Sequence, residues 1–119
     1  KKEEKTETED DNLITIDKFF ETSLKIGTIV EAQEVPKSKK LLKLQVDLGE
    51  EKNRQILAGI KEFYSAQELV GTQACVVANL KPAKLMGMIS EGMLLAARDE
   101  NGLSLIRPEK SKTIGTKIS

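Results

Sequence analysis

The 119-residue chain contains no histidine and a single cysteine, Cys75. The first absence removes the commonest general base and the commonest metal ligand together. The second excludes an internal disulfide and, without histidine, a zinc site of the usual nitrogen and sulfur donors. Tryptophan is also missing, and only Phe19, Phe20, Phe63 and Tyr64 carry aromatic rings. Generic single-strand binders stack successive bases on aromatic platforms, so a single-stranded DNA coat fits poorly. No apolar run approaches the roughly 18 residues needed to cross a bilayer, and no signal-peptide core opens the chain. Carboxylates and lysines are what remain for catalysis. Asp47, Glu91 and Asp99 are the candidates for a carboxylate-dependent hydrolase, but no paired arrangement stands out. The expectation is a non-enzyme with no metal and no cofactor.

What is present suits one soluble domain. Apolar residues make up 39% and charged residues 32%, an ordinary composition at a length typical of single domains. Cys75 sits in the apolar run Ala74-Cys75-Val76-Val77-Ala78, where a buried inert thiol is expected. The cytoplasm is the expected compartment. Formal net charge is zero, yet it is unevenly spread. Residues 1–11 hold three lysines and six acids, a net of −3, which leaves +3 on the rest. A mildly basic body permits an RNA partner without proving one. The first residue is lysine, which implies processing or excision from something longer.

Residues 1–12 contain no apolar side chain and read as a disordered acidic linker, leaving 13–119 as the folded domain. Thr15 is placed to cap a short helical turn through residues 16–20, with Asp17 at its positive end. From Leu24 the apolar period becomes two, so Leu24, Ile26, Thr28, Val30 and Ala32 are expected to share a strand face. Gly27 marks a bend or bulge in that strand. After Pro36 and the basic loop Lys37-Ser38-Lys39-Lys40, the alternation of Leu42, Leu44, Val46 and Leu48 predicts a second strand. Residues 54–58 predict a third. Ser65-Ala66-Gln67-Glu68 matches a capping box, hence a short helix. Residues 72–80 predict a fourth strand and 93–97 a fifth, and the turn Asp99-Glu100-Asn101-Gly102 leads a hairpin into residues 103–106. An all-β architecture follows. A helix between strands 3 and 4 favours the OB-fold, a five-stranded Greek-key barrel, here with a further short helix at the N-terminus.

Two basic clusters carry the functional reading. Lys37, Lys39 and Lys40 precede outward-facing Lys43, and Arg54 lies across the next turn; such a group at a barrel rim neutralises phosphates. The alternatives are a solvated loop or pairing with Glu34 or Glu51. The second cluster spans residues 79–93. There Lys81 and Lys84 flank Pro82, Asn79 and Ser90 offer hydrogen-bonding groups, and Met93 offers a polarizable surface for an unstacked base. The competing reading is a barrel corner with Leu85, Met86, Met88 and Met93 in the core. The phenylalanines beside the first helix are expected in the core, leaving Tyr64 as the stacking candidate. A folded RNA, recognised by shape, backbone charge and an exposed base or two, fits this inventory.

The pieces Ile16-Asp17-x-Phe19-Phe20, Leu24-x-Ile26-Gly27-x-Ile29, Lys40-Leu41-Leu42-x-Leu44-x-Val46-Asp47-Leu48-Gly49 and Ala58-Gly59-Ile60 are followed by Leu69-Val70-Gly71. Then come Val77-Ala78-Asn79-Leu80-Lys81-Pro82-Ala83-Lys84-Leu85-Met86-Gly87 and Ser90-x-Gly92-Met93-Leu94-Leu95-Ala96-Ala97. In this order they resemble the tRNA-binding domain at the C-terminus of bacterial methionyl-tRNA synthetases. That domain also exists as a free bacterial protein and in auxiliary factors of eukaryotic synthetase complexes. The resemblance implies an OB barrel, a homodimer in bacteria, and shape-directed binding near the outer corner of tRNA. It assigns RNA-contacting or site-shaping roles to Lys40, Asn79, Lys81, Lys84, Ser90 and Met93. Ser38-Lys39-Lys40 departs from the family's usual Ala-Asp-Lys, and Val35-Pro36 from its usual His-Pro, which makes this loop more basic.

The partners so implied are tRNA, a second copy of the chain and a synthetase catalytic domain in cis or trans, with no membrane. The acidic front suits a tether. The expectation that no further domain follows Gly115 to imitate a partner favours two barrels pairing, and pairing doubles the basic surface. The alternative is a protein-binding module resembling the small dimeric export chaperones of the same barrel type, motivated by the methionines.

Overall fold

In a computed structural model, residues 12–119 are described, so the linker expected at residues 1–12 lies outside them except for Asn12. The elements are α1 (Ile16–Phe19), β1 (Leu24–Glu34), β2 (Leu42–Asp47), β3 (Arg54–Ala58), α2 (Ala66–Leu69) and β4 (Gln73–Val77). They continue through β5 (Ala83–Leu85), β6 (Met88–Ser90), β7 (Met93–Leu94), β8 (Ala96–Asp99) and β9 (Gly102–Leu105). Five strands form one sheet in the order β3-β2-β1-β4-β7, and β5–β6 and β8–β9 are separate hairpins. Across the opening, Glu91 N donates to Gln55 O at 2.7 Å. That bond bends the sheet's ends together into an OB-type barrel.

β2 shows the expected alternation: Leu42, Leu44 and Val46 are buried while Lys43, Gln45 and Asp47 are half-exposed. β1 corrects the expected face. Gly27 and Ile29 are the residues that face the core, where a Cβ on Gly27 would meet Val46 Cγ1 at 2.7 Å and Leu48 Cδ2 at 2.8 Å. Gly27 thus makes room for packing, and the bulge lies further on, between Ile29 and Glu31. The extra residue brings Ala32 round to pack on the core. Ile26 is buried as well, and the C-terminal segment runs along the edge of β1: Ile26 N donates to Thr116 O (2.9 Å), Gly115 N to Ile26 O (2.8 Å) and Ile118 N to Leu24 O (2.9 Å).

Both short helices are capped as expected. Lys18 N donates to Thr15 Oγ1 at 3.1 Å, and Ser65 with Glu68 forms a full capping box. α2, which lies between β3 and β4 in the chain, sends Leu69 into the core. α1 buries nothing, so Phe19 and Phe20 are not core residues; they form an edge-to-face pair with Phe20 exposed. The expected fifth strand is split at Leu95, with β7 completing the sheet and β8 leaving it to pair with β9. The β5–β6 hairpin was not expected. Cys75 is buried, and that burial pushes its thiol pKa up.

Candidate nucleic-acid interface

The β1–β2 loop starts with a proline-directed turn. Ser38 N donates to Val35 O at 3.1 Å, and Lys37 takes a φ of 71°. Ser38 Oγ then accepts from Leu41 N at 3.0 Å, and Lys61 N donates to Lys40 O at 3.0 Å. The loop backbone is therefore fixed while Lys37, Lys39 and Lys40 stay exposed. Glu34 does pair with a lysine, but it is Lys61, at 3.5 Å. Lys37, Lys39, Lys40, Lys43, Lys81 and Lys84 form no ion pair with another described residue.

A lateral row links the two clusters. Lys43 on β2 lies opposite Leu57 on β3. Leu57 N donates to Ser90 Oγ at 3.0 Å, and Ser90 on β6 pairs with Ala83 on β5, next to Lys84. Gln55 Nε2 also donates to Ile89 O at 2.9 Å, so side-chain bonds seat the β5–β6 hairpin against β3. The β1–β2 loop and the β5–β6 hairpin thus border one β2–β3 face, the face and loops with which OB barrels meet oligonucleotides. Gln45 and Gln55 bond to each other on it at 3.3 Å.

Three of the polar residues singled out in the sequence bond to the protein itself, and Ser90 alone of them is buried. Arg54 donates from Nε and Nη2 to the two Glu50 oxygens at 2.9 and 2.8 Å, and from Nη1 to Ala78 O and Glu91 O. It ties the turn before β3 to both ends of the segment 78–91. The guanidinium hydrogen bonds hold the Glu50 carboxyl below the usual range, and Glu50 raises Arg54 further. Asn79 accepts from Ser23 N at 2.9 Å and donates to Glu21 O at 2.6 Å, clamping the exit of β4 to the residues after α1. Ser90, 5% exposed, accepts from Leu57 N and donates to Gly92 O at 3.2 Å. These geometries shape the site.

The apolar residues of the segment lie mostly outside the core. Met86 is 55% exposed, Met93, Leu85 and Ile89 are exposed as well, and Met88 alone is half-buried. Met86 and Gly87, at φ 50° and 80°, form the tip of the hairpin, with the positive φ pair typical of a type I′ turn. Tyr64, expected to stack on a base, is instead partly buried against the core, and its hydroxyl accepts from Leu105 N at 3.1 Å. The three candidate hydrolytic carboxylates each accept from a backbone amide: Asp47 from Gly49, Glu91 from Gln55 and Asp99 from Asn101. Among the described residues no group of acids, histidines or cysteines is arranged to hold a metal, and no helix is long and apolar enough to cross a membrane.

The sequence profile of a family described as a tRNA binding domain matches residues 24–117. The chain belongs to this tRNA-binding domain family. A methionine–tRNA ligase of Helicobacter pylori strain J99 is 53% identical over 116 residues, which is 98% of this chain and 18% of that protein. The domain thus spans less than a fifth of that relative. Among solved structures, a MetRS-related protein from Pyrococcus horikoshii superposes with a TM-score of 0.83 at 35% identity, covering 91% of this chain and 99% of that one. The chaperone CsaA from Bacillus anthracis superposes at 0.79 with 30% identity, over 90% and 99% of the two chains. This tRNA-binding domain therefore shares its barrel with a synthetase-related protein and with a chaperone.

Sequence reasoning missed Arg98 and Arg107, which stand over Phe63 and Tyr64. Neither lies in a basic run, and only the fold brings them to the rings.

Proposed function

We propose that the domain is a non-catalytic, shape-directed tRNA-binding module that raises tRNA capture by a cytoplasmic methionyl-tRNA synthetase, attached in cis or acting in trans. The observation that supports it is the pair of lysine-bearing segments, free of ion pairs among described residues, on either side of the β2–β3 face. Lys40, Lys43, Lys81 and Lys84 contact phosphates in this reading, with Met93 against an exposed base. Arg54, Asn79 and Ser90 hold the loops that carry them. Binding of total tRNA by gel shift is expected to weaken when Lys40→Ala and Lys84→Ala are combined, with the salt slope reduced by about one unit per lost phosphate contact. Salt-insensitive binding indifferent to both changes refutes the surface.

The domain acts as a homodimer in this proposal. Leu13, Ile14, Ile16 and Phe20 are all exposed around α1, a four-residue helix that buries nothing. Such a helix is marginal alone, and a second copy covering it would bury the apolar side chains. Light scattering is expected to report a dimer and Ile16→Glu a monomer. The rival reading is a module that binds unfolded chains, favoured by the CsaA likeness and by exposed Leu85, Met86, Ile89 and Met93. Suppression of client aggregation without any tRNA shift would select it.

A further inference from the structure

We infer that Arg98 and Arg107 form a second phosphate-binding element beside the β1–β2 loop, held ready by two anchored rings. Arg98 Cζ lies 5.2 Å from the Phe63 ring centre, and Arg107 Cζ lies 5.7 Å from that of Tyr64. The backbone that carries both rings is fixed, and the Tyr64 ring is held through its hydroxyl as well. Phe63 N and Tyr64 N donate to Ile60 O at 2.9 and 3.0 Å, and the Tyr64 hydroxyl accepts from Leu105 N at 3.1 Å. A guanidinium laid over a ring uses its face and leaves its N–H edge directed elsewhere. Among the described residues neither guanidinium donates a side-chain hydrogen bond or joins an ion pair. Arg54 is the contrast, since its donors are taken by Glu50 and two carbonyls.

Location supplies the ligand class. Phe63 and Tyr64 follow Lys61, whose backbone bonds to Lys40 O and whose ammonium donates to Ser38 O at 3.1 Å. The paired arginines therefore continue the cationic rim that begins at Lys37. The nearby acids are already engaged in part: Glu34 pairs with Lys61, and Asp99 accepts from Asn101 N at 2.8 Å; Glu62 is exposed. A planar fork fixed on a ring suits a phosphodiester, which it meets with two parallel hydrogen bonds. The inference deepens the tRNA-binding reading and rests on it: the ligand is the backbone of the same RNA, one step beyond the lysine contacts.

The test is tRNA affinity of the whole chain between about 50 and 200 mM salt. Arg98→Gln with Arg107→Gln is expected to lower the salt slope by about 2, so the deficit relative to the parent is about 16-fold larger at the low end of that range. Arg98→Lys with Arg107→Lys keeps the charge but loses the fork. It is expected to keep most of the slope and still bind several-fold more weakly. A parent chain that fails to bind tRNA overturns the underlying reading. A parent that binds, with unchanged slope and affinity in the glutamine pair, overturns this inference alone. Should the glutamine pair fail to fold, the lysine pair decides, and parental affinity in it rejects the arginine site.

Discussion

Ser90→Ala separates a residue that touches RNA from one that holds the site together. The hydroxyl is 5% exposed and makes two bonds, accepting from Leu57 N at 3.0 Å and donating to Gly92 O at 3.2 Å. Leu57 belongs to β3, the edge strand that receives the hairpin, and its amide is buried. Alanine leaves that donor without a partner, a cost of about 1–3 kcal/mol. Taking about 2 kcal/mol, and an unfolding entropy of about 2.1 cal/mol/K per residue over roughly 110 ordered residues, the melting temperature falls by about 9 °C. Circular dichroism melts measure this directly. Binding assayed well below the transition is expected to weaken only as far as the hairpin shifts, with the salt slope retained because no cationic side chain is removed. A melting temperature within about 1 °C of the parent, together with clearly weakened tRNA binding, would refute the argument and make Ser90 an RNA ligand.

Asn79→Ala frees the residues after α1 from the barrel, and hydrogen exchange at Ser23 N is expected to accelerate while the β2 amides stay protected. The Arg54–Glu50 pair gives a sign to acid sensitivity. Because the folded carboxyl is depressed below its ordinary value of 4.5, the pair contributes stability above that pH, which fades as pH falls through the folded value. The Glu50 side chain is 36% exposed, so the effect is small. Urea melts of Glu50→Gln are expected to show a deficit of about 0.5–1 kcal/mol near neutrality that disappears in acid; a deficit constant with pH contradicts it.

β2 was legible because one of its faces meets the core and the other meets water, so burial follows the strand period. β1 was misread for a physical reason. Ile26 and Ile29 are both buried although they lie on opposite faces, and the bulge then shifts the phase. The β5–β6 hairpin escaped notice because its tip is Met86-Gly87 and not the Asn-Gly pair that announces a tight turn. Lys37, Lys39 and Lys40 are exposed as expected, because a charge run on a loop stays outside in any fold. The clamping bonds of Arg54, Asn79 and Ser90 to Ala78, Glu21 and Leu57 are hidden in the sequence, since these partners lie 24, 58 and 33 positions away in the chain. Tyr64 was misjudged because only the fold reveals the Leu105 amide that occupies its hydroxyl.

The segment at residues 115–118 has a consequence for self-recognition. It occupies the hydrogen-bonding positions that Leu24 and Ile26 would otherwise offer to solvent. Shortening the chain before Gly115 removes these partners and leaves the backbone at Leu24 and Ile26 as an open strand edge. Unscheduled strand exchange between molecules then becomes the natural fate of a barrel whose interior is untouched.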